Sequence, residues 1–240
     1  MPAIDINCDL GEGMGNDQAI TPFITSANIA CGYHAGDTDT MWQTIEYCIA
    51  NDVAVGAHPS FLDRANFGRT ELQLAPDEIY ELVIQQLIII DEVLSSFETP
   101  LRHVKPHGAL YNLSAKNAET AHIIAKAVKN YNSDLLLVGL SGSHSISEAK
   151  KMGLQTASEV FADRSYQDDG SLTPRSAANA LITDMDKMTA QVIQMANEGT
   201  VTAVSGKVIP ITAQTICIHG DGKYAVAFAQ AIHQILTQSE

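Results

Sequence analysis

Ile4-Asp5-Ile6-Asn7-Cys8-Asp9-Leu10-Gly11-Glu12 is a short apolar alternation that ends in carboxylates beside glycine. The same form recurs in Ala27-Asn28-Ile29-Ala30-Cys31-Gly32-Tyr33-His34, Ala54-Val55-Gly56-Ala57-His58-Pro59, Val104-Lys105-Pro106-His107-Gly108 and Ile216-Cys217-Ile218-His219-Gly220-Asp221. A strand that only had to be buried could stop in any turn sequence, yet Asp, Asn, His and Lys return at these stops. In parallel α/β folds the C-terminal strand ends emerge on one face, and that face carries the active site. The five stretches read as one composite site drawn from the whole chain.

Working outward, the pattern predicts strands over residues 3–9, 26–31, 53–57, 102–105, 135–140, 155–161 and 215–219. Helices are expected over 38–50, 76–96, 118–131, 176–197 and 225–237, from apolar residues at helical spacing and from capping residues. Ser145-Ile146-Ser147-Glu148 reads as a capping box opening a short helix that stops at Gly153. Residues 201–204 and 208–211 flank Ser205-Gly206-Lys207 as a small hairpin. The alternation gives a seven-stranded parallel (β/α) barrel spanning 1–240 as one domain, with about 34 residues per unit, as a barrel of ~250 residues requires. A doubly wound open sheet is the competitor, but it concentrates its ligand at one switch point. Polar ends spread over most of the strands favour the barrel.

The chain has 240 residues and a formal net charge of −14, which argues against nucleic acid or an anionic membrane as main partner. Met1-Pro2-Ala3-Ile4-Asp5 has neither a basic n-region nor a long apolar run, and Leu87-Ile88-Ile89-Ile90 is too short to span a bilayer. A cytoplasmic location is expected. Cys8, Cys31, Cys48 and Cys217 show no C-x-x-C spacing and read as reduced, buried thiols.

Asn7 and Asp9 share one face of the first strand, with Leu10 on the other. Buried Asp and Asn are costly unless paired or used. His34, His58, His107 and His219 follow different strands at one topological level, suited to proton transfer or to a divalent metal. Asp9, His34 and His58 form a candidate metal set of mixed donors. Lys105 is embedded in a strand end, placed to polarise a carbonyl or hold an anion. Arg164 and Arg175, with Glu159 and Asp163, and separately Arg64 and Arg69 with Asp63, are candidate carboxylate clamps. No phosphate-binding loop motif, dinucleotide fingerprint or nucleophile elbow occurs.

Asp5 to Glu12, Ser26 to Asp37, Gly56-Ala57-His58-Pro59-Ser60, Phe67-Gly68-Arg69, Val104 to Asn112, Glu159 to Arg164 and Ile218-His219-Gly220-Asp221 together resemble the lactam-utilisation (LamB/YcsF) family, in order along nearly the whole chain. That family is regarded as one subunit of the bacterial ATP-dependent 5-oxoprolinase, acting with two carboxyltransferase-like subunits. Its fold is similar to the seven-stranded barrel of polysaccharide deacetylases. The resemblance implies opening of 5-oxo-L-proline to L-glutamate, with ATP held here or shared with the partner subunits. It assigns no individual roles. From side-chain chemistry we assign catalysis to Asp9, His58, Lys105 and His107, and substrate contact to Asn7, Glu12, Asn28, Arg69, Asn112, Glu159, Arg164 and His219. Substitution of Asp9 or Lys105 is expected to cost activity without unfolding. A stand-alone metal-dependent amidohydrolase or deacetylase, a non-catalytic lactam-binding subunit, and a homo-oligomer stay open.

Overall fold

The computed structural model describes residues 4–220, 222 and 224–237. In chain order the elements are β1 Asp5–Leu10, α1 Asp17–Ile20, β2 Ser26–Ala30, α2 Thr38–Ala50, β3 Ala54–His58, α3 Pro76–Ser95, β4 His103–Val104, α4 Gly108–Lys116, α5 Ala118–Tyr131, β5 Leu136–Leu140, α6 His144–Lys151, β6 Gln155–Phe161, α7 Met185–Glu198, β7 Thr200–Thr202, β8 Val208–Pro210, β9 Thr215–His219 and α8 Ala225–Thr237. Seven strands close in the order β1-β2-β3-β4-β5-β6-β9, every pair parallel. The expected (β/α) barrel is the observed one. β7 and β8 form a separate antiparallel hairpin inserted before the last barrel strand. The predicted start of β1 at Ala3, and Asp221, lie outside the described residues.

The helices bury one stripe each against the barrel. In α3, Ile79, Leu82, Val83, Leu87, Ile90 and Leu94 repeat at three- and four-residue intervals on the buried side. Its start is set by Pro76 at the first helical position and by Glu78, whose carboxylate accepts from Ala75 N at 2.7 Å. All four cysteines are free and buried, as expected.

Three local readings need correction. Residues 108–116, unassigned from sequence, form α4. The capping box at Ser145 is absent: α6 begins at His144 after Ser143, while Ser145 Oγ meets Ser114 Oγ of α4 at 2.9 Å. The helix expected from residue 176 starts at Met185, capped by the Asp184 side chain on Lys187 N. The residues before it are committed elsewhere, through bridges Arg164–Leu181 and Tyr166–Leu172. Arg164 reinforces this by donating to Thr173 O at 2.6 Å and to Ala180 O at 3.3 Å. Backbone demand outweighs helical propensity in this stretch.

Candidate active site

Strand alternation puts every second residue inside the barrel, and in this barrel the inside is polar. At the bottom, Asp5 Oδ2 accepts from Ser26 Oγ at 2.8 Å and also from Thr215 Oγ1. One layer up, Asn7 Nδ2 donates to Thr215 Oγ1 at 2.6 Å, and Asn28 Nδ2 donates to Asn7 Oδ1 at 2.8 Å. His103 Nε2 lies 2.9 Å from Asn28 Oδ1. That ring occupies space left open by Gly56, where a Cβ would stand 2.1 Å from His103 Nε2. A glycine is required there by close approach rather than by its backbone angles.

The third layer carries the centre of the site. The register pairs Asp9 with His219 on one side and with Asn28 on the other. Beyond the two residues of β4 the ladder to β3 continues, through Lys105 N to Ala57 O at 2.9 Å and His107 N to Pro59 O at 2.8 Å. Pro106, which has no N–H, falls between them without cost. Lys105 is thereby turned inward and is 2% exposed. Its Nζ lies 2.8 Å from Asp9 Oδ1, 2.7 Å from Glu159 Oε1, 3.2 Å from Asn7 Oδ1 and 3.1 Å from Cys217 Sγ. Burial works to lower the ammonium's pKa, but the carboxylates, Asp9 foremost, hold it well above the ordinary lysine value. Burial works to raise the Asp9 carboxyl, but His58 and Lys105 hold it well below the carboxylate range. Both groups are charged at neutral pH.

Above Asp9 sits a cluster of Glu12, His34, His58 and His107, whose candidate ligand atoms all lie within 4.8 Å of one another. His34 and His107 stack with ring centroids 3.8 Å apart. Burial, and then the neighbouring His58, push His34 down to about 3 and His107 well below the usual histidine value. Both imidazoles are neutral at neutral pH, the form that binds metals.

Across the mouth, His219 Nδ1 lies 2.9 Å from both carboxylate oxygens of Asp163, and its ring stacks on Phe161 at 5.6 Å. Burial works to raise the Asp163 carboxyl, but His219, with Arg175 and Arg164, holds it below its ordinary value. A carboxylate behind a histidine orients the ring and supports a proton on it, the arrangement of a general base.

These groups surround one cavity of about 320 Å³. Of the residues singled out by sequence, Asp9, Glu12, His58, Arg69, Lys105, His107, Asn112, Arg164 and His219 line it. Asn7, Asn28, His34 and Glu159 are buried and outside the lining, each holding or facing a residue that reaches it. Asp9, assigned with His34 and His58 to a metal, falls outside the four-residue cluster. It contacts His58 Nε2 at 3.3 Å while its other oxygen takes Lys105 and Asn28. The two predicted clamps fare differently. Arg64 ties loops together by donating to Gly32 O and Gly36 O, and Arg164 braces its own loop; Arg69 and Arg175 line the cavity on exposed segments.

Sequence reasoning missed His103 and Tyr111. Burial, and then the Glu159 carboxylate, hold the Tyr111 hydroxyl well above its ordinary range, and Tyr111 lines the cavity. The i+2 spacing His103-Lys105-His107 was the available signal, since these three residues share a face of the extended chain.

The chain is similar to known proteins along nearly its whole length. The A subunit of 5-oxoprolinase from Bordetella parapertussis is 50% identical over 243 residues, covering 99% of this chain and 96% of that protein. The A subunit of 5-oxoprolinase from Clostridium kluyveri is 51% identical, covering 98% and 95%. The crystal structure of a lactam utilization protein from Thermus thermophilus superposes with a TM-score of 0.91 at 39% identity, covering 99% of this chain and 97% of that one. The LamB/YcsF family profile matches residues 4–240, and the chain belongs to that family.

Proposed function

We propose that this chain, folded as one unit over 1–240, is the lactam-opening subunit of a cytoplasmic, ATP-dependent 5-oxoprolinase. It would work with two carboxyltransferase-like partner subunits. The observation that carries this reading is the buried Lys105 ammonium, fixed between Asp9 and Glu159 in the wall of a small cavity that is also lined by His219, the partner of Asp163. The names of the relatives support the substrate: a subunit of 5-oxoprolinase acts on a cyclic amide.

The chemistry follows from the poor electrophilicity of an amide. Transfer of the terminal phosphoryl group of ATP to the lactam oxygen yields ADP and an activated ring carbon. Water adds to that carbon, giving up a proton to a base. The ring C–N bond then breaks, and the nitrogen takes a proton. A second water releases phosphate and leaves glutamate. His219, backed by Asp163, is the base this reading selects. Lys105 faces the oxygen on which negative charge grows, held ready without reorganisation. Arg69 and Arg175 at the rim suit the substrate carboxylate. The ATP site is assigned to the assembly, because the chain carries no phosphate-loop motif.

The test is glutamate release from 5-oxoproline by this chain, with and without ATP and both partner subunits. The reading requires little or no turnover by the chain alone and robust ATP-dependent turnover on assembly. Lactam hydrolysis by the isolated chain without ATP would instead establish the stand-alone amidohydrolase.

A further inference from the structure

His58 and His107 face each other nitrogen to nitrogen, with His107 Nδ1 2.9 Å from His58 Nε2. The far nitrogen of each ring is tied to a backbone carbonyl: His58 Nδ1 to Lys105 O at 2.7 Å, and His107 Nε2 to Phe67 O at 3.0 Å. A carbonyl oxygen only accepts, so in each neutral ring the far nitrogen carries the proton. The two facing nitrogens then present lone pairs to one another, buried and at hydrogen-bond distance. That contact is repulsive unless a proton bridges the two nitrogens or a metal ion lies beside both, and Asp9 Oδ2 stands 3.3 Å from the same His58 nitrogen.

Two more donors border the same space. Glu12 Oε1 stands 3.6 Å from His107 Nδ1 and 3.2 Å from His34 Nε2, and the other nitrogen of His34 is buried with no hydrogen-bond partner.

We infer that Glu12, His34, His58 and His107 hold one divalent transition-metal ion of the zinc type. Three imidazole nitrogens and one carboxylate oxygen form a donor set typical of such ions. Tetrahedral ligand atoms about 2.0–2.1 Å from zinc stand about 3.4 Å apart. Three of the separations among these atoms, 2.9, 3.2 and 3.6 Å, straddle that value, and the whole set lies within 4.8 Å. The carbonyls of Lys105 and Phe67 fix the tautomers that aim both lone pairs inward, the outer-shell support that metal-binding histidines use. Asp9 becomes a neighbour of the centre and not a ligand. Bound there, the ion would polarise a carbonyl lying in the cavity. Its use in ring opening rests on the function proposed above; its presence does not.

The test uses this chain alone, without lactam or ATP, so that a failed metal site and a failed ring-opening reading are told apart. The chain is stripped with a chelator and titrated with Co²⁺, followed by its visible absorption, and then with Zn²⁺, followed by native mass spectrometry. One ion per chain is expected, with His107→Ala and Glu12→Gln each weakening it at least about tenfold and Asp9→Asn binding within about tenfold of wild type. Circular dichroism checks the fold of each variant, and the wild-type titration decides if a variant is unfolded. Absence of saturable one-to-one binding by the folded wild type would overturn the inference, leaving a shared proton between His58 and His107. So would loss of the ion in Asp9→Asn with retention in His107→Ala, which would return the ligand set to Asp9, His34 and His58.

Discussion

Lys105 is held on several sides, and the consequence is structural as well as chemical. Its ammonium stands against Asp9 and Glu159 with almost no solvent contact. Removing it leaves two carboxylates facing each other in the barrel, which typically costs about 3–5 kcal/mol. Urea denaturation of Lys105→Ala is expected to show a loss of that size, partly restored in the Lys105→Ala, Glu159→Gln double variant. An unchanged midpoint for the single variant would mean that the ion pairs hold nothing together. The sequence reading expects Lys105→Ala to cost activity without unfolding, and the two ion pairs add a stability cost to that expectation. What made Asp9 and Lys105 legible is that a charge inside an apolar run needs a partner. What hid their partners is that Glu159 is 54 residues further along the chain from Lys105 and meets it only once the barrel closes.

At the scale of elements, helices with their own caps were legible and helices defined by tertiary contact were not. Asn117 accepts from Thr120 N at 2.9 Å, and α5 begins where the apolar spacing says it should. Asn117→Ala is expected to lower stability by about 1 kcal/mol in thermal or urea melts, with assembled activity retained. A loss below a few tenths would show that the cap is idle. By contrast, Ser145 was misread because serine suits either a cap or a helix–helix contact, and Ser114 claims it. The late start of α7 has the same origin. Gln191 reaches from that helix to the carbonyl oxygens of Phe161, Ala162 and Arg164, pinning the end of β6 and the loop behind Asp163. The loop that carries half of the His219–Asp163 pair is therefore braced from the helix behind it.

For the whole molecule, strand-to-helix alternation and polar strand ends were enough to choose a barrel and to bring most of the candidate residues around one cavity. The polar column beneath that face was not legible, since each layer needs the register of neighbouring strands. His103 belongs to that column, and burial pulls it down to about 4, with Asp5 and Asp9 opposing and Lys105 and His58 adding to the effect. The unfolded chain takes up this proton below about pH 6.5, before the folded one does, so stability is full above that value and falls as pH drops toward 4. One such group contributes a slope of ~1.4 kcal/mol per pH unit in that window. His103→Gln, which can still donate to Asn28, is expected to remove about one proton's share of the slope in urea titrations at several pH values. An identical slope in the variant would place the titration elsewhere. The column also supports the composite site, because Asp9 reaches the cavity from a residue locked between Asn28 and Lys105.

The most direct test of that site is glutamate release by the assembled enzyme carrying Asp9→Asn in this chain. Asparagine keeps the size of the side chain and the oxygen that accepts from Lys105, but loses the charge. The account predicts a rate lower by about 100–1,000-fold, with this chain folded and bound to its partners as in the wild type. Turnover near the wild-type rate from a folded, assembled Asp9→Asn enzyme would contradict it.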